Sequence, residues 1–190
     1  DAREQSLLRR SLESVGSPQS IIDVGCGPGR FWSTIAEFSS ARLAGLDVSH
    51  GMLRFARSTH SSDIGERIAL AAGSIMELPF VDDAFDCVVS MRLLHHFGGA
   101  DERRCELAEL SRIARQNVIV SLWVDGNYKA WRRRRLELHR TDRAYQNRHV
   151  VSRMQLLDDF HAANLVEMAH FDLIPAYSQW RYYVLAVQGA

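Results

Sequence analysis

Ile21-Ile22-Asp23-Val24-Gly25-Cys26-Gly27-Pro28-Gly29 is the stretch on which the reading of the fold turns. A short apolar run enters three glycines at every second position, the pattern of a buried strand followed by a turn too sharp and too close to a ligand for side chains. Outward from it, strand and helix alternate. Leu7, Leu8, Leu12 and Val15 recur at helical spacing, and Gly16-Ser17-Pro18 stops that helix. After the glycines, 31–38 reads as a helix, 42–47 as a strand, 51–58 as a helix, 68–72 and 85–90 as strands, 101–113 as a helix and 117–123 as a fifth strand. Such alternation calls for a parallel sheet covered on both faces, with ligands beyond the carboxyl ends of the strands, where the loop after the first strand lies. The tail differs: a helix over 152–162 precedes strands 165–171 and 180–187, joined directly and so antiparallel.

The 190 residues suit one domain, 1–190, and the composition, 46% hydrophobic and 24% charged, is that of an ordinary packed protein. Lys plus Arg and Asp plus Glu both number 23, so no global basic field points to nucleic acid. Cys26, Cys87 and Cys105 lie far apart, which suits neither a disulfide framework nor a metal site; the expectation is a cytoplasmic setting and no metal. No apolar run approaches the ~20 residues of a membrane span. The chain opens on Asp1 rather than methionine, which leaves a preceding segment open.

The acid that closes Gly45-Leu46-Asp47 stands about 20 residues beyond the loop, where a carboxylate can accept hydrogen bonds from ribose hydroxyls. Capping of the next helix by Asp47 or Ser49 is the competing role. A nicotinamide enzyme requires Gly-x-Gly-x-x-Gly, and here the third position falls on Arg30 or Trp32.

A third element, Gly73-Ser74-Ile75-Met76-Glu77-Leu78-Pro79-Phe80, leads through Asp82-Asp83 to Phe85-Asp86-Cys87-Val88-Val89-Ser90. Together with the glycine loop and Gly45-Leu46-Asp47-Val48-Ser49 it resembles the class I methyltransferases, especially the small-molecule branch that includes quinone-biosynthesis enzymes, across roughly 18–123. That resemblance implies an α/β fold with a doubly wound, Rossmann-like sheet, mostly parallel with an antiparallel last strand, in the order 3-2-1-4-5-7-6. It implies S-adenosyl-L-methionine as cofactor. Asp23 would organise the loop and the methionine amino group, Gly25, Cys26, Gly27 and Gly29 would line the cofactor, and the helix start would face its carboxylate. Asp47 would hold ribose, Val48, Met52, Ser74 and Ile75 would border adenine, and Ser90 and Met91 would lie beneath the methionine part. The family commonly carries Asp where this chain has Ser74.

A sulfonium is already an activated methyl donor, so the protein's task is alignment and exclusion of water. His95 and His96 sit where related enzymes carry a similar segment, either as a base for the acceptor or as a brace for the loop. Residues 126–150 form a helical insertion or cap, with Trp131, Leu138 and Tyr145 at sevenfold spacing. Arg132, Arg133, Arg134 and Arg135 sweep most of a helix circumference, so some pack against acids such as Glu137 and Asp142 or bind an acidic acceptor. Tyr128, Trp131, Arg135 and Tyr177 are the candidate residues for a small-molecule acceptor. An idle cofactor-binding module and an RNA or anionic-glycan methyltransferase are the competing functions.

Overall fold

Ser20–Val24 is buried along its entire length, which a strand tolerates only where both faces of its sheet are covered. Alternate residues supply the two covers. Ile21, Cys87, Val89, Ile119 and Tyr182 pack with Leu8, Leu12, Trp32 and Leu53 on one side. Ile22, Val88, Val118 and Tyr183 pack with Leu107, Leu110, Leu156 and Phe160 on the other. The period of two therefore divides the interior into two layers around one sheet.

The computed structural model describes residues 2–38, 42–138 and 149–189. In chain order the elements are α1 (Ala2–Ser14), β1 (Ser20–Val24), α2 (Trp32–Phe38), β2 (Arg42–Asp47), α3 (His50–Thr59), the single turn α4 (Ser62–Gly65), β3 (Ile68–Ala72), β4 (Phe85–Ser90) and a 3₁₀ turn over Leu94–His96. There follow α5 (Ala100–Ile113), β5 (Ala114–Val124), α6 (Tyr128–Leu138), β6 (Val150–Val151), α7 (Arg153–Ala162), β7 (Leu165–Asp172) and β8 (Trp180–Val187).

The sheet runs β3-β2-β1-β4-β5-β8-β7, and the two-residue β6 pairs with the end of β5. Strands β1 to β5 are parallel to one another, whereas β8 is antiparallel to both β5 and β7. With β6 set aside, this is the order the resemblance implied. Strand order reverses between β1 and its two neighbours β2 and β4, so the loops after β1 and β4 open onto one crevice.

Of the expected insertion over 126–150, α6 and β6 are seen, while 139–148, with Asp142 and Tyr145, lie outside the described residues. Strand β6 and helix α4 were not anticipated, because two and four residues carry no period. Among the described residues no helix is long and apolar enough to cross a membrane.

Candidate active site

The glycine loop is held by the strand beside it. The N–H groups of Gly25 and Cys26 both donate to the Leu46 carbonyl, at 2.8 and 3.0 Å. Gly25, Gly27 and Gly29 have φ of 73°, 52° and 72°, the left-handed region that other residues enter at a cost. Tight turns close from Gly29 N–H to Cys26 O and from Trp32 N–H to Gly29 O, so α2 begins one residue later than expected. A Cβ at Gly29 would meet the Trp32 ring at 2.6 Å, whereas one at Gly27 would meet nothing within 4 Å. Gly27 therefore borders open space.

Asp47 ties this loop to its own turn. One carboxylate oxygen accepts from Gly27 N–H and the other from Ser49 N–H, each at 2.8 Å. The cap of α3 is Ser49, whose hydroxyl accepts from Met52 N–H, so Asp47 is not spent on capping. The Asp47 carbonyl also receives Gly73 N–H at 3.3 Å, which brings the 73–75 segment alongside. Val48 and Met52 are 76% and 47% exposed, apolar surface flanking the acid. Ile75 is half-buried, and the Ser74 hydroxyl accepts from Met76 N–H at 3.2 Å.

Asp23 ends up beneath the loop, 2% exposed, with its Oδ2 lacking any hydrogen-bond partner. Burial pushes its carboxyl up to about 7, the Asp47 charge adds to the push, and the nearby Trp32 indole pulls the other way without reaching hydrogen-bonding geometry. A buried carboxyl with an idle oxygen at the entry to the glycine loop suits a cationic amino group, because such a group would supply the missing donor and favour the charged acid. The residues present thus fit the amino-acid end of S-adenosylmethionine. The Cys26 thiol is pushed well above its ordinary range by burial and by Asp23 and Asp47, so it stays neutral beside the acids.

At the end of β4, Ser90 is fully buried and Met91 5% exposed. The Ser90 hydroxyl is nearest Glu106 of α5, a carboxyl that burial pushes up to about 8 and whose two oxygens have no hydrogen-bond partner. Arg92 then adopts a φ of 63°, with its N–H held by the Ser121 hydroxyl at 2.8 Å. Its guanidinium meets Glu4 of α1 at 2.8 Å, and Glu4 also pairs with Arg30. One acid of the first helix therefore joins the loop after β1 to the loop after β4, a clamp that no local pattern in the sequence signals.

His95 is 2% exposed and enclosed by the rings of His96, Trp123 and Trp180, with centroids 4.1, 5.2 and 4.8 Å away. Its carbonyl accepts His149 N–H at 2.7 Å, fastening the loop to the chain before β6. His96 is exposed.

Beyond β5 a cavity of about 950 Å³ opens against α6, lined by Asp125, Tyr128, Trp131, Arg133, Arg134 and His149 among others. Of the residues expected on the acceptor side, Tyr128 and Trp131 line it, and Tyr177 stacks on Tyr128. Arg135 lies instead over the Trp131 ring at 5.0 Å. The arginine run divides as the helix geometry requires: Arg133 is half-buried over the Trp123 ring, and Arg132, Arg134 and Arg135 are exposed. The side chains of Glu137 and Asp142 are outside the described residues. Of the four arginines offered for an acidic acceptor, Arg133 and Arg134 line the cavity; His149 was not singled out. Helical phase alone favours Arg135, which is four residues from Trp131 and seven from Tyr128; it lies on the Trp131 ring, and Arg134 lines the cavity instead.

The comparisons with known proteins bear on this arrangement. A family model described as a methyltransferase domain matches residues 21–117, just over half of the chain. The malonyl-[acyl-carrier protein] O-methyltransferase of Hahella chejuensis (strain KCTC 2396) is 37% identical over 108 residues, covering 55% of this chain and 36% of that protein. Methyltransferase GfsG of Streptomyces halstedii is 28% identical over 113 residues, 59% of this chain and 41% of its own length. The chain spans about half the length, or less, of the curated relatives it matches. The magnesium protoporphyrin IX methyltransferase of Synechocystis PCC 6803, solved with bound SAH, shares the fold at a TM-score of 0.79 and 13% identity, covering 97% of this chain and 84% of that one.

Proposed function

The chain belongs to the methyltransferase-domain family, and on that premise we propose that it transfers a methyl group from S-adenosyl-L-methionine to a small or moderately sized acceptor. The observation that carries this reading is the idle, buried oxygen of Asp23 at the entry to the glycine loop, together with the open space at Gly27 and Asp47, which accepts from Gly27 and whose charge reaches Asp23. Asp23 takes the amino group of the cofactor, Gly25, Cys26, Gly27 and Gly29 let its amino-acid end approach the backbone, and Asp47 receives the ribose hydroxyls. Val48, Met52, Ser74 and Ile75 flank the adenine, while Ser90 and Met91 support the methionine part from below.

When bound, the cofactor supplies a methyl group already activated by its sulfonium. The protein's share is alignment and dryness. His95, enclosed by three rings and tied to His149, holds the loop after β4 in place. His96, exposed one residue on, is the better placed of the two for a proton from a hydroxyl acceptor. Relatives named as O-methyltransferases support oxygen as the methylated atom. Three free cysteines suit a cytoplasmic setting.

Titration calorimetry with S-adenosylhomocysteine tests the proposal. One equivalent is expected to bind, and Asp47→Ala to weaken binding by about tenfold or more, the cost of one lost charge-assisted hydrogen bond. No heat of binding at millimolar product would overturn the reading.

A further inference from the structure

The cavity beyond β5 is built from aromatic faces and guanidinium groups, and its walls are set by backbone bonds rather than by chance crowding. Tyr128 N–H donates to Ala176 O at 2.9 Å and Lys129 N–H to Tyr177 O at 3.1 Å, which pins the start of α6 to the loop between β7 and β8. That junction stacks Tyr128 on Tyr177 with centroids 5.6 Å apart and planes 13° apart, and Trp131 follows at 5.9 Å from Tyr128. The three rings nevertheless remain 47%, 45% and 54% exposed. Clustered aromatic surface of this kind marks a binding face, because rings are otherwise withdrawn from water.

Arg134 lines the same cavity and has no partner among the described residues. Arg133 lines it too, its guanidinium over Trp123 at 5.1 Å. The one carboxylate among the described lining residues, Asp125, accepts Arg153 N–H at the start of α7. The described wall carries two guanidiniums against one carboxylate, a net positive charge. Trp123, beneath Arg133, packs against His95 of the loop that follows Met91, so the cavity adjoins the cofactor side of the crevice.

We infer that this cavity binds a planar aromatic carboxylate as the methyl acceptor, its ring against Tyr128 and Trp131 and its carboxylate anchored by Arg134. The inference rests on the methyl-transfer reading and names the acceptor class for that site. Stacking requires a flat hydrocarbon face, and a guanidinium fork matches the two oxygens of a carboxylate. The anchor fixes one end of the acceptor, leaving the opposite edge of the ring to meet the donor.

The test uses 2-naphthoate and its uncharged isostere 2-naphthamide, titrated calorimetrically into the whole chain, with S-adenosylhomocysteine titrated into the same samples. Naphthoate is expected to bind about tenfold more tightly than the amide. Arg134→Gln should erase that preference, Tyr128→Ala should weaken both ligands, and product binding should persist in both variants, which also shows that they fold. Equal binding of acid and amide, or a preference that survives Arg134→Gln, overturns the inference even where the cofactor product binds. Failure of the product to bind overturns the methyl-transfer reading instead, so the two failures are separable.

Discussion

At Gly25 an added methyl would sit 2.6 Å from the Leu93 side chain, whereas at Gly27 it would meet nothing within 4 Å. Both have positive φ, which charges any other residue roughly 1 kcal/mol. Gly25→Ala is therefore expected to lower stability by about 2 kcal/mol in chemical denaturation, strain and overpacking together. Gly27→Ala should cost about half as much yet abolish binding of S-adenosylhomocysteine in calorimetry, because its methyl enters the space left for the ligand. Glu106 makes a second prediction. Burial lets its carboxyl hold a proton up to about 8 in the folded chain, well above the ordinary carboxylate range, and Asp23 holds one up to about 7. The folded state binds these protons more tightly, so the contribution of these two groups to stability is complete below about pH 4 and is lost as pH rises through 7 and 8. Urea titrations at pH 5, 6, 7 and 8 should show that decline, and Glu106→Gln should flatten most of it, leaving the part due to Asp23.

Among the elements, α1 reaches the site through Glu4, 5% exposed, which receives both Arg30 and Arg92. Each arginine side chain is 33% exposed, so water screens part of the attraction and the loss expected for Glu4→Gln is about 1–2 kcal/mol rather than that of a fully buried pair. The same variant should weaken product binding severalfold in calorimetry, because the loops after β1 and β4 lose their common anchor. Asp47 was legible in the sequence because it ends a strand at a fixed distance from the glycines. Glu4 was not: its partners are 26 and 88 residues away, and an acid in a first turn has ordinary reasons to be there. Strands β1 to β4, β7 and β8 were legible to within a residue at either end, whereas β5 starts three residues before the expected 117 and the two-residue β6 was missed. The enclosure of His95 was hidden, because Trp123 and Trp180 come from strands β5 and β8 and meet it only once the sheet is assembled.

For the whole molecule, the order β3-β2-β1-β4-β5-β8-β7 gathers the loops after β1, β2 and β4 at one edge, with the end of β5 and the start of β8 beside them. Ligand binding at that edge should tighten the entire fold. At a product concentration of about 100 times Kd, S-adenosylhomocysteine should add about 2.7 kcal/mol to stability, read as a rise of a few degrees in Tm by calorimetry. The alternation of strand and helix announced this layout in the sequence, and the antiparallel tail followed from two strands joined without a helix. The residues Tyr128, Trp131 and Tyr177 of the cavity beyond β5 were legible, but not the junction that brings them together, because α6 meets the loop between β7 and β8 through backbone bonds between segments about 50 residues apart.

The four tryptophans are distributed over these regions: Trp32 fully buried by Asp23, Trp123 and Trp180 around His95, and Trp131 half-exposed on the cavity wall. Their ultraviolet emission should accordingly be composite, a blue-shifted fraction from the interior and a red-shifted one from Trp131. An aqueous quencher such as iodide should extinguish the red fraction first. The chain thus carries its own dyes, one set facing inward and one facing the medium, and single Trp→Phe replacements would assign each colour.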